Sequence, residues 1–353
     1  MKLTDNITAI KNIKDAFNSR GLTIYLGAGV SVASGLPTWE QLVLLLYFRT
    51  LKDDISRVYP NYLLAISEWL LKNTKEPLDI LVRKVKKYSW NEDEFLKLIH
   101  ESLYSGFFAH GIWYRPEVGQ NVSLAAIINY LCSNSKPLNV GLKSVITYNY
   151  DNLLEMGLQS KGIIDDYQVI SRTDTIMDTN KIPIYHVHGF IPYEGKGSSM
   201  NEMIFSEEQY NNVFQDAYFW GNMVQMQNLT SNTGLMIGIS LNDRNIRRIL
   251  DSIRKSPIST RNYLLLQRAT FEILTKPDEE TRWIHEQALK YKLKFAGSGV
   301  KVEEKEFDQI VNILEQIRQF ESETFNRIYE DMGIEVLWYD KHEEVADFIK
   351  ALT

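Results

Sequence analysis

Leu22-Thr23-Ile24-Tyr25-Leu26-Gly27-Ala28-Gly29-Val30-Ser31-Val32-Ala33-Ser34-Gly35-Leu36-Pro37 is the stretch whose reading decides the fold. Its first five residues form a short β-branched and aromatic run that stops at a glycine, the pattern of a buried strand. Glycines placed directly after a first strand let the backbone approach a pyrophosphate closely, and the turn that follows offers N–H donors. Val32 stands where the third glycine of that fingerprint would fall, and no clear helix opens at once. By itself the glycine pair therefore reads equally well as a tight strand-to-loop turn.

Working outward, Ile7, Ile10, Ile13 and Phe17 recur at helical spacing ahead of this strand, and the helical pattern returns from Trp39 to Leu51. Residues 53–137 read as largely helical, without a Gly-rich stretch. Strand patterns resume at residues 144–147, 184–187, 235–239, 263–266 and 334–338. A helix is expected over residues 243–254, and a long charged helical stretch over 277–331. Strands alternating with helices predict a parallel sheet with right-handed crossovers. The expected fold class is α/β, a Rossmann-like doubly wound parallel sheet of about six strands with large helical insertions. Residues 1–52 and 138–353 would form the sheet domain, and residues 53–137 an inserted helical subdomain.

The 353 residues are 44% hydrophobic and 24% charged, ordinary for a globular chain with a sizeable core. The formal net charge of -6 argues against a dedicated nucleic-acid surface. The basic run Arg83-Lys84-Val85-Lys86-Lys87 reads as a solvated helix face. Cys132 is the one cysteine, which excludes an internal disulfide and a zinc site built from several cysteines of this chain. No apolar run is long enough to span a bilayer, and the charged first twenty residues lack a signal-peptide core. The expectation is a soluble cytoplasmic protein.

Chemically suggestive residues fall at the strand ends, where ligands bind in doubly wound folds. Thr147-Tyr148-Asn149-Tyr150-Asp151 offers an amide able to donate and accept at once, and an aspartate that either caps the next helix or serves the site. His186-Val187-His188-Gly189 offers two histidines on one side of a strand, as a general base, a metal pair or packed side chains. Gly238-Ile239-Ser240-Leu241-Asn242-Asp243 runs from a strand into a helix. There Ser240 could meet a phosphate or ribose, while Asn242 and Asp243 read as N-caps. Arg247 and Arg248 read as phosphate partners or as solvated side chains.

Taken in order, Gly-Ala-Gly-x-Ser-x-x-Ser-Gly-x-Pro, Thr-x-Asn-x-Asp, His-Gly and Gly-x-Ser-Leu resemble the sirtuin family across residues 22–250. The wording of the Asn149 and Gly238 blocks, with the late Val336-Leu337-Trp338-Tyr339 run, is similar to the bacterial branch of NAD-consuming anti-phage effectors. The resemblance implies NAD as substrate. Gly27, Ala28, Gly29 and Ser31 would cradle its diphosphate, and Pro37, Trp39, Asp151, Gly238 and Ser240 would complete its site. Asn149 would orient the nicotinamide ribose and a water, and His188, the histidine that precedes the glycine, would act as the base.

Three departures from sirtuin deacylases stand out. Thr38-Trp39-Glu40 keeps an aromatic but puts an acid where the deacylases carry arginine. Residues 190–234 contain no cysteine where those enzymes hold a four-cysteine zinc module. The segment 53–137 is additional. Together these imply an NAD hydrolase without zinc that releases nicotinamide and ADP-ribose, probed against two alternatives. One is a protein deacylase or ADP-ribosyl transferase; the other is a non-catalytic NAD or ADP-ribose binding module. Because NAD depletion is toxic, control is expected from homo-oligomerisation and from a regulatory partner such as a defence-system ATPase or sensor. Contact with nucleic acid or membrane is not expected.

Overall fold

The computed structural model of the protein describes residues 2–50, 66, 70, 77–89, 91–104, 121–132, 141–216, 218–241, 243–254, 261–268 and 304–353. Among the described residues seven parallel strands form one sheet: β1 (Leu22–Leu26), β2 (Leu142–Thr147), β3 (Tyr167–Ile170), β4 (Ile182–His186), β5 (Thr233–Ile237), β6 (Asn262–Gln267) and β7 (Ile334–Tyr339). Their spatial order is β3-β4-β2-β1-β5-β6-β7. From β1 the chain passes to β2, out to the edge at β3 and back to β4 between them, and then crosses to β5 on the other side of β1, so the strand order reverses between β1 and β5. A crevice at such a reversal is where doubly wound sheets bind ligands.

The expected Rossmann-like class is the one observed, with seven strands in place of about six. The additional strand is β3, a four-residue edge strand whose Tyr167-Gln168-Val169-Ile170 run is too short to stand out from its surroundings. At β5 the strand ends at Ile237 rather than at residue 239, because Gly238 turns the chain with φ +70°. A short helix, α2 (Gly29–Val32), does open at once after Gly27-Ala28, contrary to the expectation.

The strands are buried on both faces, as parallel sheets require. Ile24, Leu26, Val145, Ile184, Leu235 and Ile237 point to one face, while Tyr25, Ile146, Tyr185 and Met236 point to the other. The first face is covered by α1 (Ile7–Asn18), α3 (Trp39–Arg49), α6 (Val122–Cys132), α7 (Leu153–Ser160) and α12 (Glu343–Leu352). Between α3 and α6 lie α4 (Leu78–Tyr88) and α5 (Glu92–Leu103); besides α4, α5 and α6, the expected 53–137 insertion is outside the described residues apart from residues 66, 70, 77, 89, 91, 104 and 121. The second face is covered by α9 (Trp220–Ser231), α10 (Arg244–Ile253) and the end of α11 (Glu304–Glu330). Of the long charged stretch, residues 277–303 lie outside the described residues.

Local chemistry sets the helix starts nearest the strand ends. Thr38 and Gln41 form a reciprocal capping box at α3. Asp243 Oδ1 accepts from the amides of Asn245 and Ile246 and so caps α10. The interval 190–234 holds a 3-10 turn at Met200–Glu202, α8 (Glu207–Gln215) and α9. Among the described residues no helix is long and apolar enough to cross a membrane.

Candidate active site

At the sheet's reversal the loops after β1 and β5 lock together through glycines. Gly27 N–H donates to the Ile237 carbonyl and Gly29 N–H to the Gly238 carbonyl, both at 3.0 Å. A Cβ on Gly27 would collide with the Gly238 carbonyl oxygen, and one on Gly238 would lie 2.6 Å from the Val30 nitrogen. The glycines are thus required first by the mutual approach of two backbones. Ala28 and Gly29 remain exposed at the rim, while Gly27 and Ser31 are buried. Asn121, fully buried, donates to the Val30 carbonyl and to Ser34 Oγ while its Oδ1 caps α6, fastening that helix to the loop.

Asn149, two residues beyond β2, is held by one chain of hydrogen bonds that fixes which way its amide points. Its Nδ2 donates to the Gly27 carbonyl at 3.1 Å and to Ser31 Oγ at 3.0 Å. Ser31 Oγ in turn donates to Asp151 Oδ2 at 2.8 Å, and Asp151 Oδ1 accepts from Leu153 N–H at 3.0 Å. A carbonyl can only accept, so Nδ2 must face Gly27 and the amide oxygen must face away. That oxygen, Oδ1, is buried without a hydrogen-bond partner. Burial pushes the Asp151 carboxyl up from its ordinary range, opposed by the Leu153 amide and the Ser31 hydroxyl. Asp151 therefore fixes the start of α7 with one oxygen and accepts from Ser31, the partner of Asn149, with the other.

The two histidines have opposite surroundings. His186 ends β4 and is closed in: its Nδ1 lies 3.1 Å from the Asn149 carbonyl and its Nε2 2.9 Å from Glu155 Oε1 on α7. Both of those side chains are almost fully buried. His188 lies beyond the strand, level with Asn149 because Thr147 pairs with His186 in the β2–β4 register. Its Nε2 is buried without a hydrogen-bond partner and faces Asp243 Oδ2 at 3.7 Å. That is ion-pair range but too long for a hydrogen bond. Tyr148 and Tyr210 present their rings to it at 5.3 and 5.9 Å. Burial lowers the His188 pKa below 6.5, and the Asp243 carboxylate opposes that shift. The ring is therefore a proton acceptor at neutral pH.

The remaining residues singled out in the sequence are more scattered. Pro37 is buried ahead of α3. Trp39 is half-buried and meets Phe205 edge to face at 4.9 Å; Phe205 also contacts Tyr150, the neighbour of Asn149. Ser240 is exposed on the loop after β5, and Asn242 lies outside the described residues. Arg247 donates to the Leu241 carbonyl and Arg248 to the Phe214 carbonyl, so both hold backbone. In α4, Leu81, Val82 and Val85 are buried while Arg83, Lys84 and Lys87 are exposed, and Arg83 pairs with Glu207 at 3.8 Å. Among the described residues no group of three or more His, Cys, Asp or Glu side chains converges on a possible metal site.

Sequence reasoning missed Glu155, Tyr210 and Asn121. Each acts through a contact across the fold, and none carried a local signal beyond its residue type. The residues present fit a nucleotide of the kind the resemblance implies: two buried polar atoms at the carboxyl edge of the sheet, Asn149 Oδ1 and His188 Nε2, are unsatisfied.

Residues 143–292 match the family model for a SIR2-like domain. The chain is 23% identical over 269 residues to Defense-associated sirtuin 2 of Bacillus subtilis, an alignment covering 72% of this chain and 21% of that protein. It is 21% identical over 254 residues to NAD(+) hydrolase ThsA of Enterococcus faecium, covering 71% of this chain and 43% of that protein. The chain thus spans about a fifth and about two fifths of the lengths of these relatives. The glycine loop, strand-end asparagine and histidine thus stand on a parallel sheet that over residues 143–292 is similar to a SIR2-like domain.

Proposed function

We propose that this protein is an NAD hydrolase that cleaves the nicotinamide–ribose bond, releasing nicotinamide and ADP-ribose, and that it acts as an effector of anti-phage defence. The observation that carries the reading is the pair of unsatisfied atoms, Asn149 Oδ1 and His188 Nε2, buried at matching positions beyond adjacent strands β2 and β4. Buried polar groups are normally bonded, so two exceptions side by side at a ligand-binding edge call for a substrate. The names of the two relatives support NAD as that substrate and defence as the setting.

In this reading the NAD diphosphate lies along Gly27, Ala28, Gly29 and Ser31, with Gly238 and Ser240 on the adenosine side and Pro37, Trp39 and Asp151 completing the site. Asn149 Oδ1 accepts a hydrogen bond from the attacking water or a ribose hydroxyl. Water adds to the anomeric carbon as nicotinamide departs, through an oxocarbenium-like transition state. His188, neutral at pH 7, takes up the proton released. General-base assistance of this kind contributes on the order of a hundredfold or more. The zinc-module position of a deacylase is occupied here by α8 and α9, which favours water over an acyl-lysine peptide as the acceptor.

Residues 1–52 and 138–353 form the NAD-binding domain in this proposal, with 53–137 as an insertion. The protein works in the cytoplasm as a homo-oligomer whose basal cleavage a regulatory partner, such as a defence-system ATPase or sensor, raises. The test is chromatography of NAD incubated with wild-type protein, Asn149→Ala and His188→Ala. Nicotinamide and ADP-ribose from wild type alone are expected; undiminished product from both variants would overturn the assignment.

A further inference from the structure

The Asp243 side chain is divided between two tasks. Its Oδ1 caps α10, accepting from Asn245 N–H at 2.7 Å and Ile246 N–H at 3.1 Å. Its Oδ2 accepts from the Tyr210 hydroxyl at 3.1 Å and lies 3.7 Å from His188 Nε2. The cap and the tyrosine between them leave this carboxylate little freedom to turn. The His188 nitrogen it faces is buried and has no other partner. A capping residue needs only one acceptor oxygen, so the cap alone leaves the placement of Oδ2 unexplained.

We propose that Asp243 is the positioning residue of the site, a fixed carboxylate that receives the His188 imidazolium when His188 takes a proton from water or a ribose hydroxyl. The proposal rests on the hydrolase reading for its place in the reaction, but the Asp243–His188 pair can be tested without it. In proton terms the step is closed. The hydroxyl proton goes to Nε2 of the neutral ring, the ring becomes positive, and the Asp243 carboxylate, 3.7 Å from Nε2 and within ion-pair range, compensates the new charge. A buried ring without that carboxylate would hold a proton poorly, because charging it would be uncompensated.

The groups facing His188 are few among the described residues. From the end of β2 comes Tyr148, whose hydroxyl donates to Gln225 on α9. From α8 comes Tyr210, and from the start of α10 Asp243. Tyr148 stays protonated, since burial and Asp243 both raise its pKa. Arg247 and Arg248, on the same helix as the cap, reach back to the Leu241 and Phe214 carbonyls. Asp243 is thus the charged group placed to answer a proton on His188.

The decisive experiment follows the six histidines of the full-length protein by NMR titration with isotope-labelled histidine, His188 being assigned by its loss in His188→Ala. Asp243→Asn keeps an N-cap oxygen and removes the charge. Its His188 midpoint should fall by about one pH unit or more, a tenfold loss of proton affinity. Tyr210→Phe retains the carboxylate but frees Oδ2 from its hydroxyl, and should move the same midpoint upward. Opposite movements in the two variants are not the behaviour of a structural defect. An unchanged midpoint in Asp243→Asn, or movement in the same direction in both variants, would overturn the proposal. Where wild type cleaves NAD, the acidic limb of kcat/KM should shift to lower pH in Asp243→Asn alongside the NMR midpoint. The predicted titration shifts without NAD cleavage by wild type would leave the pair standing and sink the hydrolase reading.

Discussion

The side-chain amides of α9 and the polar groups at the ends of β2 and β4 are buried to a similar degree and differ in whether their bonds are complete. On α9, Asn228 Oδ1 accepts from Thr23, Ser144 and Asn232 while its Nδ2 donates to the Val224 carbonyl. Asn222 and Gln225 likewise leave no amide atom unbonded. At the strand ends Asn149 spends its nitrogen and keeps its oxygen free, and His188 keeps Nε2 free although His186, two residues earlier, is bonded at both nitrogens. Closed polar clusters specify packing, whereas an open one at a ligand edge holds capacity for something that arrives. Burial and residue type alone do not separate the two; an unsatisfied atom at the carboxyl end of a strand does, since Tyr25 Oη within β1 and Asn262 Oδ1 at the start of β6 are unsatisfied away from that edge.

Three substitutions press on that comparison, in falling order of effect. His186→Ala strands the buried Glu155 carboxylate and should cost about 3 kcal/mol or more of unfolding free energy, read by urea denaturation. Asn228→Leu removes the acceptor shared by Thr23, Ser144 and Asn232. It should cost about 2 kcal/mol by the same method, with little change in NAD affinity if α9 acts only as scaffold. Arg83→Ala breaks an exposed 3.8 Å pair with Glu207 and should change stability by about 0.5 kcal/mol or less. A loss there comparable with His186→Ala would mean the exposed face of α4 is not merely solvated. Acidification sharpens the contrast further. Since burial holds the His188 pKa below 6.5, NAD cleavage should be flat near pH 7 and fall only as pH drops below that value and the base becomes protonated. A decline that begins above pH 7 would assign the base elsewhere.

Much of this was legible in the sequence because the signals were local. The β1 run and its glycines marked the central strand, and the strand ends at Asn149, His188 and Gly238 placed the candidate residues at one edge of the sheet. The rest depended on contacts across the fold. Glu155 reads as an ordinary acid in the first turn of α7 until the β4 register brings His186 against it. Asp243 reads as a cap, correctly for one oxygen, and only the arrival of α8 and the β4 loop gives the other oxygen a task. In α9 the inward face carries Asn222, Gln225 and Asn228, inverting the rule that apolar residues face the sheet. The edge strand β3 is short and lies far from the glycine loop, so neither length nor motif announced it.

The most direct measurement sets His188→Ala beside His186→Ala, with NAD cleavage and urea unfolding followed on the same samples and compared with wild type. The account predicts that His188→Ala loses on the order of a hundredfold or more in cleavage while unfolding close to wild type, and that His186→Ala is the variant that loses stability. Wild-type cleavage by His188→Ala would contradict the claim that the unsatisfied histidine is the one that meets substrate.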